Sequence, residues 1–123
     1  SDPNDPQAWV AKAEEDYKLT LSSLRRKIPL TYGATFHAQQ CAEKYIKAVL
    51  VQQGQSPPKI HDLEVLKALC LKFGIIIPLD DDKLGLLLNM VSKPHPGDNP
   101  TPDEARAALE IAKSVRKFAK SLL

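Results

Sequence analysis

The sequence lacks most of the features that assign a chain to a class at first sight. No run of apolar residues approaches the ~20 that a membrane span requires, and only two cysteines occur in 123 residues. Cys41 and Cys70 both fall at apolar helical positions with no cluster of ligands beside them, which argues against a zinc site and predicts free thiols in a reducing compartment. The 17 basic and 15 acidic residues nearly balance, so composition alone gives no nucleic-acid signal. We expect no metal and no other cofactor.

The first seven residues, SDPNDPQ, contain neither the basic nor the apolar segment of a secretory signal. Together with the free thiols, this predicts a cytoplasmic protein without a membrane partner. A chain of this length fits a single domain, residues 1–123, and buries roughly two thirds of its unfolded surface, enough for a core without disulfides.

Five segments with helical periodicity are separated by Gly and Pro, which predicts an all-α protein, an up-and-down helical bundle of about five helices. The first helix is expected to begin at Asp5-Pro6 and to run through Ile28, and the second to cover roughly Leu30 to Gln53. The third should begin at Asp62 and close at Gly74, and the fourth should begin at Asp80 or Asp81. The fifth should begin at the capping box of Thr101 and Glu104. Residues 75–77, all isoleucine, are expected to form a buried connector because Pro78 follows and no partner strand exists. The second and fifth helices are expected to lie at the centre.

The second helix has an unusually wide apolar face. On a helical wheel its apolar residues cover about 200°, against the ~100° stripe of an ordinary surface helix, so the helix should be covered on two sides. This width is our reason to expect a homodimer. Gln39 projects into the same face, where an amide without a hydrogen bond would cost about 1–3 kcal/mol, so it should have a partner.

The remaining edge of this helix is polar and is the first candidate for a ligand site. Its hydrogen-bonding and cationic side chains lie within an ~80° sector over three turns, so that they can face one phosphate-bearing ligand. They are His37, Gln40, Lys44 and Lys47. The alternative is a solvated surface on which Glu43 and Lys47 form an ordinary exposed i,i+4 pair.

Other candidates have simpler interpretations. Trp9 and Tyr17 of the first helix are assigned to the core, with a platform for stacking bases as the alternative. His61 is assigned to packing of its loop rather than to catalysis. A basic stripe in the last helix suits the helix dipole and could also follow phosphates. It consists of Arg106, Lys113, Arg116, Lys117 and Lys120.

The order and spacing of several motifs resemble the HEPN domain. Residues 36–48, FHAQQCAEKYIKA, followed by HDL at 61–63, are similar to the AxQQAxEKxxKA helix and the HxL or HDL opening of that family. Residues 96–98 and 101–105 resemble its proline turn before the last helix. The resemblance spans most of the chain and implies a helical bundle, frequent homodimerisation and nucleotide or RNA binding, often beside a nucleotidyltransferase in prokaryotic toxin and antitoxin pairs.

The sequence departs from the ribonucleases of that family, which carry an Arg and a His four to six residues apart near the last helix. Relatives usually show RYP in the loop where this chain reads SKPHP at 92–96, so Pro94 replaces the Arg and His95 the Tyr. No Arg is followed by His four to seven positions later. Cleavage needs a proton acceptor and a positive donor held together. We therefore predict no catalytic residue, and retain Lys93 and His95 only as candidate ligand contacts.

Three functions follow. The preferred one is a HEPN-type nucleotide- or RNA-binding module that is not catalytic and works with a nucleotidyltransferase-type partner. The alternatives are a toxin-type, metal-independent endoribonuclease and a purely structural helical dimerisation or adaptor protein.

Overall fold

The computed structural model describes residues 2–91 and 95–123, except for the side chain of Val91. Its helices are α1 (Pro6–Arg25), α2 (Thr31–Gln52), α3 (Leu63–Leu71), α4 (Asp81–Val91) and α5 (Pro102–Leu122). The described residues contain no strand, so the predicted all-α bundle of about five helices is confirmed. Lys93, one of the predicted ligand contacts, lies outside the described residues.

Local capping explains where the helices begin. The Asp5 carboxylate accepts a hydrogen bond from the Gln7 amide at 3.0 Å, and proline occupies the first turn of α1. Asp62 caps α3 in the same way, and Thr101 and Glu104 form a reciprocal capping box on α5. The sequence-based starts of these helices are therefore correct.

The predicted end of α1 is wrong by three residues. The helix stops at Arg25 because Arg26 adopts an extended backbone conformation and the Leu30 amide returns to the Ser23 carbonyl at 3.0 Å. The residue before Pro29 is also biased away from the helical region. Ile28, expected on the apolar face, is consequently 81% exposed.

The second helix lies at the centre of the bundle. It packs against all four other helices, most extensively against α1 and then α5. Its wide apolar face is fully covered within one chain, because every one of the following side chains is at most 1% exposed: Ala34, Ala38, Cys41, Ala42, Tyr45, Ile46, Ala48, Val49 and Leu50. The width of this face therefore no longer argues for a second copy, and the homodimer stays a prediction.

The connector before α4 is only partly buried. The third helix ends at Leu71, three residues before the predicted close at Gly74, which lies in the turn that follows and has a positive φ of 74°, a conformation in which a side chain would be strained. After it Ile77 is 2% exposed, whereas Ile76 is 71% exposed.

Among the described helices none is both long and apolar enough to cross a membrane.

Both cysteines are free and buried in the core. Burial raises the pKa of the Cys41 thiol to about 12 and that of Cys70 to about 11. Both therefore stay protonated at neutral pH and behave as small apolar side chains.

Candidate functional site

The polar edge of α2 faces α1, where it meets an acidic residue that the sequence analysis overlooked. Asp16 is 6% exposed, and its carboxylate accepts hydrogen bonds from His37 Nδ1 at 2.8 Å and from Lys44 Nζ. Two of the predicted ligand residues are thus held by a buried carboxylate. Asp16 shares the buried face of α1 with Ala13 and Thr20, three and four residues away, and an acid at such a position needs partners.

One turn further along α2, a second ion pair is almost completely buried. Lys47 Nζ lies 3.1 Å from Glu43 Oε2, and each side chain is 3% exposed. The expectation of an exposed helix-surface pair is wrong, because tertiary neighbours cover it. The Lys47 ammonium lies over the Trp9 ring, and the 5.5 Å from Nζ to the ring centroid is within the range of a cation–π contact.

His61 joins this pair from the loop before α3. Its Nδ1 lies 2.9 Å from Glu43 Oε2, while its side chain remains 79% exposed. The contact holds the loop against α2, which agrees with the loop-packing role predicted for His61. Because the carboxylate accepts from Nδ1–H, Nε2 of the neutral ring is an acceptor, and it forms no hydrogen bond to another described residue.

Two adjacent cavities share Trp9 and Pro3 as wall residues, and we call them together the Trp9 cleft. The Lys12 compartment has a volume of about 310 Å³ and is also lined by Ala8, Lys12 and Lys44. The Lys59 compartment has a volume of about 610 Å³ and is also lined by Asn4, Lys47, Ser56, Pro57, Pro58, Lys59 and His61. Residues from α1, α2 and the 56–61 loop therefore converge on one tryptophan.

The charge of the Trp9 cleft is positive. Its four lysines stand against two carboxylates, Asp16 and Glu43, that pair with Lys44 and Lys47. Lys12 and Lys59 are exposed and form no ion pair with another described residue. Each compartment therefore contains one cation that is free to contact an anion.

The other predicted candidates lie elsewhere. Gln40 is partly exposed and His95 is exposed, and neither lines the Trp9 cleft. Gln39 is buried, but its Oε1 has no hydrogen-bond partner among the described residues, so the structure does not show the partner that we expected. Of the predicted ligand residues, only Lys44 and Lys47 line the Trp9 cleft, Lys44 in the Lys12 compartment and Lys47 in the Lys59 compartment.

Much of the basic stripe on α5 is paired with acids. Arg116 donates two hydrogen bonds, of 2.8 and 2.9 Å, to Glu14 on α1, and Lys120 Nζ lies 2.9 Å from the same carboxylate. The Arg116 hydrogen bond is the main reason that the pKa of Glu14 falls to about 2. The Arg116 guanidinium also lies 4.3 Å from the Tyr17 ring centroid. These contacts join α1 to α5, which is a structural role.

A third cavity, of about 290 Å³, lies between α3 and α4 and is mainly apolar. Its charged lining residues are Glu64, Lys67 and Asp81, which makes it a poor site for an anion. Within the described part of the chain, no group of three or more His, Cys, Asp or Glu side chains is placed to hold a metal ion.

Within this all-α bundle, α1, α2 and the 56–61 loop thus line a cationic cleft with Trp9 in its wall. The family model for the HEPN domain matches residues 6–122, nearly the whole chain, and the protein belongs to that family. The match supports a nucleotide- or RNA-related role at the level of the family. No curated protein and no solved structure matches the chain.

Proposed function

We propose that this protein is a nucleotide- or RNA-binding module whose ligand occupies the Trp9 cleft. The observation that carries the proposal is the convergence of an aromatic ring and unpaired lysines in one concave site. Proteins bind nucleic acids without reading a sequence by stacking bases on aromatic rings and by placing cations along the backbone. Both groups are present here, and the basic stripe of α5 supplies no such combination.

The site lies where the predicted polar edge of α2 meets α1, but its chemistry differs from the prediction. Lys44 and Lys47 line the cleft and are held in ion pairs, and His37 contacts the same Asp16 carboxylate as Lys44, whereas Lys12 and Lys59 supply the accessible charge. Desolvated pairs of this kind fix the position of side chains more than they attract a ligand.

We further propose that the protein is not catalytic and acts in the cytoplasm with a partner of the nucleotidyltransferase type. This part rests on the resemblance and on the absence from the sequence of a spaced Arg and His pair. A homodimer and a place in a toxin and antitoxin pair belong to the same proposal.

Titration of a fluorescently labelled single-stranded 12-mer RNA tests the binding function by anisotropy. We expect saturable binding that weakens steeply with salt, and weaker binding by Lys59→Gln. Lys117→Gln is the matched control, because Lys117 is an exposed cation on α5 outside the Trp9 cleft. If Lys117→Gln lost affinity for the RNA and Lys59→Gln did not, the binding site would lie on α5 rather than in the Trp9 cleft. If no RNA bound at all, the adaptor function would be favoured.

The Glu43 and His61 pair supports a second candidate, the metal-independent endoribonuclease. A histidine held by a buried carboxylate at Nδ1 can accept a proton at Nε2 from a ribose hydroxyl. It ranks second because the described residues place no second histidine in the cleft to protonate the leaving oxygen. We expect RNA to remain intact in the presence of a chelator, and cleavage that His61→Gln abolishes would overturn the non-catalytic assignment.

A further inference from the structure

We infer that the Trp9 cleft takes single-stranded RNA rather than a mononucleotide, with one base on Trp9 and its flanking phosphates on Lys12 and Lys59. This inference rests on the proposed function and specifies its ligand. Its basis is the division of the cleft into two compartments that share an aromatic wall.

Each compartment contains its own free cation. Lys44 and Lys47, the two lysines that line the compartments from α2, are neutralised by Asp16 and Glu43. The uncompensated charge therefore lies on Lys12 in one compartment and on Lys59 in the other. A mononucleotide carries its phosphate on one side of its base and reaches one of these lysines. A strand has a phosphate on each side of a base and reaches both.

The aromatic wall between the compartments is fixed in place. The indole N–H of Trp9 donates a hydrogen bond to the Pro3 carbonyl at 2.8 Å, and the Lys47 ammonium lies over the ring. A ring that is already ordered loses little conformational entropy when a base stacks on it. A fixed platform of this kind accepts any base, since every base has a π-face.

The larger compartment also offers an acceptor for a ribose hydroxyl. His61 lines it, and Nε2 of the neutral imidazole is not bonded to another described residue. The 2′-hydroxyl is a donor that RNA has and DNA lacks. The ligand is therefore RNA, and a DNA strand of the same sequence is the control for the ribose.

A length series at low salt tests the inference by calorimetry with adenosine 5′-monophosphate, the RNA trinucleotide and the RNA hexanucleotide of adenosine. We expect the trinucleotide to bind at least about tenfold more tightly than the monophosphate, because both ligands can stack a base on Trp9 but only the trinucleotide makes the second phosphate contact. Each of Lys12→Gln and Lys59→Gln should weaken trinucleotide binding and lower its salt slope by about 0.7, the value for one phosphate of a single strand. Lys117→Gln should change neither quantity.

Equal affinity for the monophosphate and the trinucleotide would overturn the inference and leave the proposed function intact, whereas no binding of any nucleotide would overturn both. Inorganic tripolyphosphate that binds as tightly as the trinucleotide would exclude stacking on Trp9. Equal affinity for the DNA trinucleotide would overturn the assignment to RNA. Because Lys12 and Lys59 are exposed and form no ion pair with other described residues, their variants should fold normally, which circular dichroism checks.

Discussion

Replacement of Lys47 by alanine should strongly destabilise the protein although it removes a lysine from the polar edge of a helix. Lys47 and Glu43 are each 3% exposed and lie 3.1 Å apart, so the substitution leaves a buried carboxylate whose remaining side-chain partner is His61. Removal of one partner of a buried pair costs about 3–5 kcal/mol. For a domain whose whole stability is about 5–15 kcal/mol, this is a large fraction.

Replacement of both partners, Glu43→Leu with Lys47→Met, should cost less than Lys47→Ala alone, because no charge is then left unpaired. Urea unfolding at pH 7, followed by circular dichroism, measures the free energy of unfolding of the wild type, of Lys47→Ala and of the double variant. A cost below about 1 kcal/mol for Lys47→Ala would refute the buried pair and return Lys47 to the solvated surface. If the loss is as large as expected, binding measurements on Lys47 variants would report unfolding rather than ligand contact.

The remaining predictions concern the core, the α1–α5 contact and assembly. Arg116 lowers the pKa of Glu14 from 4.5 to about 2, so the stabilisation is complete above pH 4.5 and is lost as the pH falls toward 2. Because solvent screens this partly exposed pair, Glu14→Gln should cost about 1 kcal/mol or less at pH 7; thermal melts that show the same difference at pH 2 would contradict this. Ala42 is completely buried, so Ala42→Arg should lower the melting temperature more than Lys44→Ala, and equal melting temperatures would show that α2 is rotated. Sedimentation at tens of micromolar should show a homodimer, and a monomer would contradict that proposal. The dimer interface is expected to bury at least about 1,000 Å² in total.

Most of the fold could be predicted because its determinants are local. The caps at Asp5, Asp62 and Thr101 fix helix starts through bonds spanning two or three residues, so neighbouring positions in the sequence suffice. The end of α1 could not be predicted in this way. Its periodicity continues to Ile28, but the hydrogen bond from the Leu30 amide to the Ser23 carbonyl turns the chain earlier.

The candidate site was harder to predict because burial is a tertiary property. The sequence shows Glu43 and Lys47 at i,i+4 spacing, but it does not show that Trp9 and the 56–61 loop lie near them. The position of Asp16 was a usable signal, because its spacing to Ala13 and Thr20 places a carboxylate on the buried face of α1. An acid there implies cations on the facing helix.

The most direct test of the central claim uses the intrinsic fluorescence of Trp9, the only tryptophan in the chain. Its emission reports on the Trp9 cleft alone, so a titration with unlabelled single-stranded RNA locates binding as well as detecting it. We predict saturable quenching whose midpoint rises with salt and rises again in Lys59→Gln but not in Lys117→Gln. Binding seen by anisotropy with no change in Trp9 emission would place the ligand elsewhere and contradict the account.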